Sequence, residues 1–296
     1  MDRRMHSDEV EVSDRLVRQL IASQLPDFSD LDVHRLESVG TVNAMFRLGP
    51  DLCVRLPINP GWAEDLDKEL LWLDRLRPHL PLRIPEPVAT GSPAFGYPFR
   101  WAVYRWLEGV PYSVSLVGDE AKTAEELAGF IKALRKIDTS GAPISGRLPL
   151  KVLDAAIRWA IKAIGAAEST QSIAETWERS LAAPIWNGIP VWRHCDLLPS
   201  NLLVCEGRLH AVIDFGGVGV GDPAADVIAA WTVFGPSGRT AFREALDCDQ
   251  ATWDRAMGFA LHQALLIIPY YSTSNPEFAA MAWRTVREIL DDVNLS

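Results

Sequence analysis

Between residues 192 and 226 the chain reads WRHCDLLPSNLLVCEGRLHAVIDFGGVGVGDPAAD, and three of its side chains are spaced for one kind of chemistry. Asp196 is followed five positions on by Asn201, and thirteen further on by Asp214. This is the layout of a phosphoryl-transfer site. One carboxylate orients a hydroxyl nucleophile, while an amide and a second carboxylate hold the magnesium ions that bridge the phosphates of ATP. Asp196 takes the first role. The loose transition state asks for little basicity, so a carboxylate of ordinary pKa is enough. Asn201 and Asp214 take the second, because magnesium prefers hard oxygen ligands and keeps several waters. His194 is a further catalytic candidate, set against a supporting role through hydrogen bonds within the loop. Taken singly, these fragments say little; their order and spacing carry the reading.

Specific elements must bring these side chains together. Pro199 and the apolar run after it predict a tight loop entering a strand at Leu202–Val204, and Glu206-Gly207 reads as a hairpin turn. Arg208 to Ile213 is then the return strand, ending at Asp214. Upstream, a helix starts at the Ser13/Asp14 cap and runs to about Gln24, and strands are expected at Val33–Val39, Asn43–Leu48 and Leu52–Leu56. A helix near 62–77 follows, ended by Pro78, Pro81, Pro85 and Pro87, and then strands at Val88–Ala89 and Phe99–Trp106. The remainder reads as helices near 119–137, 151–167, 171–183, 225–234, 251–268 and 276–292. Thr123 and Glu126 suggest a capping box at the start of the first of these.

At these residues the chain resembles the aminoglycoside phosphotransferase family, antibiotic kinases that include macrolide phosphotransferases and share the protein-kinase fold. The family pattern is met by His194-Cys195-Asp196-Leu197-Leu198-Pro199-Ser200-Asn201, by Ile213-Asp214-Phe215 and by Gly221-Asp222-Pro223-Ala224-Ala225-Asp226. The chain departs from it at Cys195, where the family usually has glycine. That change places a thiol beside the presumed base and suggests sensitivity to oxidation or alkylation.

The resemblance implies an α+β, bilobal protein-kinase-like fold. It would have a strand-rich, nucleotide-binding N-terminal lobe (1–106) and a mainly helical catalytic and substrate-binding lobe (107–296). It implies that Ser38, Gly40, Thr41 and Asn43 form a turn over the phosphates, and that Arg55 pairs with the α/β phosphates and with a helix carboxylate, Glu69 or its competitor Glu64. It implies that Tyr104, Arg105 and Trp106 form the hinge that binds adenine through its backbone, with Val54 packed on the ring. Asp226 would brace the catalytic loop, and Asp222 would cap the helix that follows. A protein kinase is excluded by length: only five residues separate Gly216 from Asp222, too few for an activation segment. The expected acceptor is therefore a small-molecule hydroxyl, on an aminoglycoside, a macrolide, or a choline- or homoserine-like metabolite, with ATP (or GTP) and Mg2+. A nucleotide-binding pseudoenzyme is the reading from another class, opposed by the intact Asp196, Asn201 and Asp214.

Composition agrees with a globular protein of ordinary core size, 296 residues with 48% hydrophobic content. The net charge of −10 argues against nucleic acid, which needs a concentrated basic face, and mildly favours cationic ligands. Four cysteines without Cys-x-x-Cys spacing predict free thiols. The polar first residues and the polar interruptions at His262, Gln263 and Pro269 predict a cytoplasmic protein with no membrane segment. Oligomeric state is not legible. Of eleven tryptophans, Trp159, Trp177, Trp186 and Trp231 would suit an apolar or sugar-bearing ligand, as would Tyr270 and Tyr271, though tryptophan is more often core.

Overall fold

The computed structural model describes residues 10–36, 42–144, 147–165 and 170–295. The chain divides into two compact units. The first comprises Met1–Pro78, Leu82–Val110 and Ala211–Gly216; the second comprises His79–Pro81, Pro111–His210 and Gly217–Ser296.

The first unit is built on a five-stranded antiparallel sheet. In chain order its elements are α1 (Asp14–Gln24), β1 (Val33–Arg35), β2 (Asn43–Leu48), β3 (Leu52–Pro57), α2 (Pro60–Leu76), β4 (Pro87–Gly91) and β5 (Trp101–Arg105). The strand order is β1-β2-β3-β5-β4. Ser13 caps α1 by accepting from Leu16 N, and Val17, Leu20 and Ile21 turn inward at helical spacing. They pack on Phe46, Leu48, Val54, Leu56, Trp101 and Val103. Since side chains alternate along a strand, Val54 and Leu56 point to the α1 face while Cys53 and Arg55 point to the other, where α2 lies. The strand is therefore buried on both faces, which explains why it reads as a nearly unbroken apolar run around a single arginine.

The second unit is mainly helical. After β6 (Val110–Pro111) come α3 (Glu120–Arg135), α4 (Leu150–Ile164), α5 (Thr170–Ala182), β7 (Val191–Arg193), β8 (Leu202–Cys205), β9 (Arg208–Val212) and β10 (Gly219–Gly221), with Val110 and the last two residues of β9 counted in the first unit. They are followed by α6 (Ala224–Val227), α7 (Ala229–Thr232), α8 (Pro236–Leu246), α9 (Gln250–Tyr271) and α10 (Pro276–Leu295). α9 is the central helix, packed on α4, α5, α6, α7 and α10, and is accordingly apolar over most of its surface. The hairpin turn between β8 and β9 is Glu206-Gly207, with φ of 51° and 76°. Two successive positive φ values give the twist that joins antiparallel strands through two residues. β10 pairs antiparallel with β7.

Several elements differ from the sequence expectation. α8 was not foreseen, because Pro236-Ser237-Gly238 reads as a turn. Here Pro236 starts the helix at a position where its missing N–H is no loss. Gly238 is required by packing: a Cβ there would meet the side chain of Glu120 at 2.8 Å. The helix expected at 225–234 is two short ones, and the cap of α3 is Asp119, which accepts from Lys122 N. Thr123 instead bonds back to the Asp119 carbonyl. Among the described residues no helix is long and apolar enough to cross a membrane.

Candidate active site

In the first unit the charged side chains converge on Arg55. Its Nη1 donates to Glu69 Oε2 at 2.8 Å and its Nη2 to Asp214 Oδ1 at 2.9 Å. Glu69 is wholly buried on α2 and collects two further donors, the hydroxyl of Tyr104 at 2.6 Å and the backbone N–H of Phe215 at 2.9 Å. With its amide oxygen facing the guanidinium, Asn43 accepts from Arg55 Nε and Nη2, both at 3.0 Å. Burial disfavours the charge on Arg55, but Glu69 and then Asp214 outweigh it and hold the guanidinium above its ordinary range. Burial, and after it the charge of Glu69, pushes the Tyr104 phenol up as well, so it stays a donor. Of the two acidic partners weighed for Arg55, Glu69 makes the pair and Glu64 is exposed.

The loop from His194 to Asn201 is held by the second unit. Asp226, fully buried on α6, accepts from His194 N at 2.8 Å and Cys195 N at 2.7 Å. Arg147 donates to the Cys195 carbonyl at 2.6 Å and Thr232 to the Leu197 carbonyl at 2.8 Å. Asn201 Nδ2 donates to the Asp196 carbonyl at 2.9 Å and to Asp196 Oδ2 at 2.8 Å, which fixes the way the amide faces. Its Oδ1 is approached by Ser200 Oγ at 3.5 Å. His194 is completely buried and its Nδ1 accepts from Asp196 N at 3.2 Å.

The Gly-Asp-Pro-x-x-Asp segment is structural at each fixed position. A Cβ on Gly221 would lie 2.4 Å from Arg193 Nη2, so the arginine needs that glycine. Arg193 then bonds the carbonyls of Val220 and Asp222. Asp222 accepts from Ala224 N at 2.9 Å and pairs with the buried Arg255 at 2.8 Å.

One residue was missed by the sequence reading. Gln263 on α9 donates from Nε2 to Asp196 Oδ1 at 2.9 Å, so each Asp196 oxygen receives an amide donor. Its signal in the sequence is the polar pair His262-Gln263 in an otherwise apolar stretch. Burial, with Arg147 adding, lowers the neighbouring His262 to about 4, so it is uncharged at neutral pH.

Other expectations fall elsewhere. Ser38, Gly40 and Thr41 lie outside the described residues. Val54 points into the α1 core, and Cys53, two residues before Arg55, shares the face of Arg55 in its place. The backbone N–H groups of Arg105 and Trp106 already donate to the carbonyls of Glu86 at 2.9 Å and Asp51 at 2.8 Å, so neither is left for a base in this conformation. Cys195 is 8% exposed, which works against the suggested reactivity with bulky reagents.

The model of the phosphotransferase enzyme family matches residues 35–259. The chain belongs to that family. Its fold is also that of solved antibiotic kinases. Aminoglycoside 2'-phosphotransferase-IIIa with GDP superposes at a TM-score of 0.79 and 19% identity, covering 95% of this chain and 100% of that one. A relative solved with GDP and kanamycin gives 0.76 at 19% identity, over 93% and 98% of the two chains. Macrolide 2'-phosphotransferase MphH from Brachybacterium faecium gives 0.61 at 22%, over 92% and 97%. At these identities the likeness speaks to the fold alone. No curated protein matches the chain in sequence. Family membership makes this an enzyme of phosphoryl transfer.

Proposed function

We propose that the chain is a kinase that transfers the γ-phosphate of ATP to a hydroxyl of a small molecule of the aminoglycoside or macrolide type. The observation that carries the reading is the setting of Asp196. Its carboxylate lies between two neutral donors, Asn201 Nδ2 and Gln263 Nε2, which orient it while leaving its charge unneutralised by them. A carboxylate so held can take a proton. In the reaction it orients the substrate hydroxyl and accepts its proton, the hydroxyl oxygen bonds to the γ-phosphorus, and the bond to the β-phosphate oxygen breaks to release ADP. Asp226, His194, Arg147 and Thr232 position Asp196 through the backbone of its loop.

In this reading the first unit is the nucleotide lobe. Arg55, anchored by Glu69, takes the α/β phosphates, and Asn43 steadies the guanidinium. Asn201 Oδ1 and the Asp214 carboxylate are hard oxygen donors that suit magnesium. Among the described residues no cluster of three His, Cys, Asp or Glu side chains is set to hold a metal by itself. Bound magnesium supplies neutralisation of the charge that develops on the transferred phosphate. Because relatives are solved with GDP as well as ADP, GTP is a second donor to compare.

The test is magnesium-dependent release of ADP or GDP across a panel of aminoglycosides, macrolides and amino alcohols, with mass spectrometry of each hit. A compound that gains one phosphate with the wild type and none with Asp196→Asn supports the assignment. Equal turnover by Asp196→Asn refutes it.

A further inference from the structure

Gln263 is bonded on one side only. Its Nε2 serves Asp196, but its Oε1 is buried and has no hydrogen-bond partner among the described residues. Leaving a buried amide oxygen unpaired costs about 1–3 kcal/mol, so the atom needs a physical account. A ligand donor meeting Oε1 beside the carboxylate that takes the acceptor proton supplies one.

The helix carrying Gln263 continues directly into a cleft. Leu266, Ile267 and Tyr270 follow Gln263 at three, four and seven residues, on the same face of α9. With Pro269, Tyr271 and Trp159 of α4 they line a cleft of about 490 Å³, within the size range of small-molecule sites. α4 and α9 run side by side in the same direction. Leu150, at the start of α4, lies against Gly258 in the first half of α9, and Trp159, further along α4, faces Leu266 to Tyr271 at the end of α9. From Gln263 to Tyr270 the helix rises about 10 Å, at 1.5 Å per residue, a span that one drug-sized ligand covers. Trp159 is 61% exposed and Tyr270 56%, large apolar surfaces facing water in a molecule that buries Trp177, Trp192 and Trp231 completely. Among the described residues no carboxylate lines the cleft.

We propose that this cleft is the acceptor subsite, and that it selects an alcohol carried on an apolar ring system, such as a hydrophobic macrocyclic glycoside, over a polyammonium sugar. The hydroxyl to be phosphorylated meets Asp196, a neighbouring O–H or N–H of the ligand donates to Gln263 Oε1, and the apolar body stacks on Trp159 and Tyr270. This rests on the reading of Asp196 as the group that takes the acceptor proton. Polyammonium sugars are disfavoured because their charges would lose water against a cleft whose described lining is apolar and aromatic.

The experiment uses binding, which needs no turnover. Erythromycin, as an apolar macrocyclic glycoside, and kanamycin, as a polyammonium sugar, are titrated into the full chain by calorimetry, with the wild type, Trp159→Ala and Tyr270→Ala. Both substituted side chains are largely exposed, so the fold tolerates their loss. Erythromycin is expected to bind more tightly than kanamycin, and each substitution to weaken it about tenfold or more while the affinity for ATP stays unchanged. Gln263→Met should weaken erythromycin and lower kcat more than the KM for ATP. Tighter binding of kanamycin, binding of neither compound, or erythromycin affinity indifferent to both aromatic substitutions overturns the proposal. Erythromycin bound through Trp159 but never phosphorylated instead overturns the kinase reading and leaves the cleft standing. Phosphorylated kanamycin, unaffected by Trp159→Ala, does the reverse.

Discussion

Glu69 and Asp214 are held by a cation, whereas Asp196 is held by two amides. In the first unit the guanidinium of Arg55 lies against both carboxylates at 2.8 and 2.9 Å, one of them fully buried. In the second unit Asn201 and Gln263, which each donate to one oxygen of the Asp196 carboxylate, are neutral. The proposed roles account for the difference. A group that receives phosphate must keep a cation fixed and fully charged, and buried anions do this at a desolvation cost that only mutual pairing offsets. A group that receives a proton must be aimed without being neutralised, because a cation beside it would lower the basicity the reaction uses. Charge sets the geometry in one cluster, and neutral hydrogen bonds set it in the other.

The largest expected effect divides the two clusters by function. Asp196→Ala should lower kcat by 10²–10⁴-fold, about the contribution of a positioned general base, and leave nucleotide affinity intact. Asp214→Ala should abolish the magnesium-dependent part of nucleotide binding, as read by titration of a fluorescent nucleotide with and without magnesium. Ordinary turnover in Asp196→Ala, or unchanged binding in Asp214→Ala, breaks the comparison.

The next effect divides them by stability. Glu69→Gln keeps the shape but removes the buried charge facing Arg55, and should destabilise the protein by about 3–5 kcal/mol, as the loss of one partner of a buried pair does. Asp196→Asn disturbs the bonds from two neutral amides and should cost about 1 kcal/mol. Urea unfolding of the two variants measures both. The contrast fails if Asp196→Asn is the less stable protein.

The sequence made the second cluster partly legible because its residues are close along the chain. Asp196 and Asn201 lie in one loop, and their spacing expressed a geometry. Asp226 was legible from its place in a motif, and the hairpin turn from Glu206-Gly207. What was not legible came from long-range packing. Gln263 reaches Asp196 from 67 positions away, and its only mark was polarity on an apolar helix. Val54 was expected on the adenine side from the family resemblance, but strand alternation points neighbours to opposite faces and puts Cys53 on the side of Arg55. The hydrogen bonds that occupy Arg105 N and Trp106 N depend on Glu86 and Asp51, which no local pattern names. α8 hid behind Pro-Ser-Gly, a turn signal until Glu120 is packed against its glycine.

The smallest effect concerns backbone, and both clusters share it. Asp214 has φ of 66° and Cys195 has φ of 71°, left-handed values that ordinary side chains avoid. Aspartate tolerates this region, and at 214 its carboxylate bonds Arg55; cysteine has no such tolerance. The family's usual glycine at 195 is the residue that this backbone prefers. Cys195→Gly relieves a strain of about 1 kcal/mol but also removes a buried thiol, worth a similar amount, so its net effect should lie near zero. The comparison that isolates the backbone is Gly against Ala. Cys195→Ala loses the sulfur and keeps the strain, so Cys195→Gly should be the more stable of the two by about 1 kcal/mol, the reverse of the usual order. Urea midpoints of the two variants, with kcat near wild type in both, would place the departure at Cys195 in conformation and not in chemistry. If the alanine variant unfolds at higher urea than the glycine variant, the left-handed turn at 195 carries no strain, and the cysteine needs another explanation.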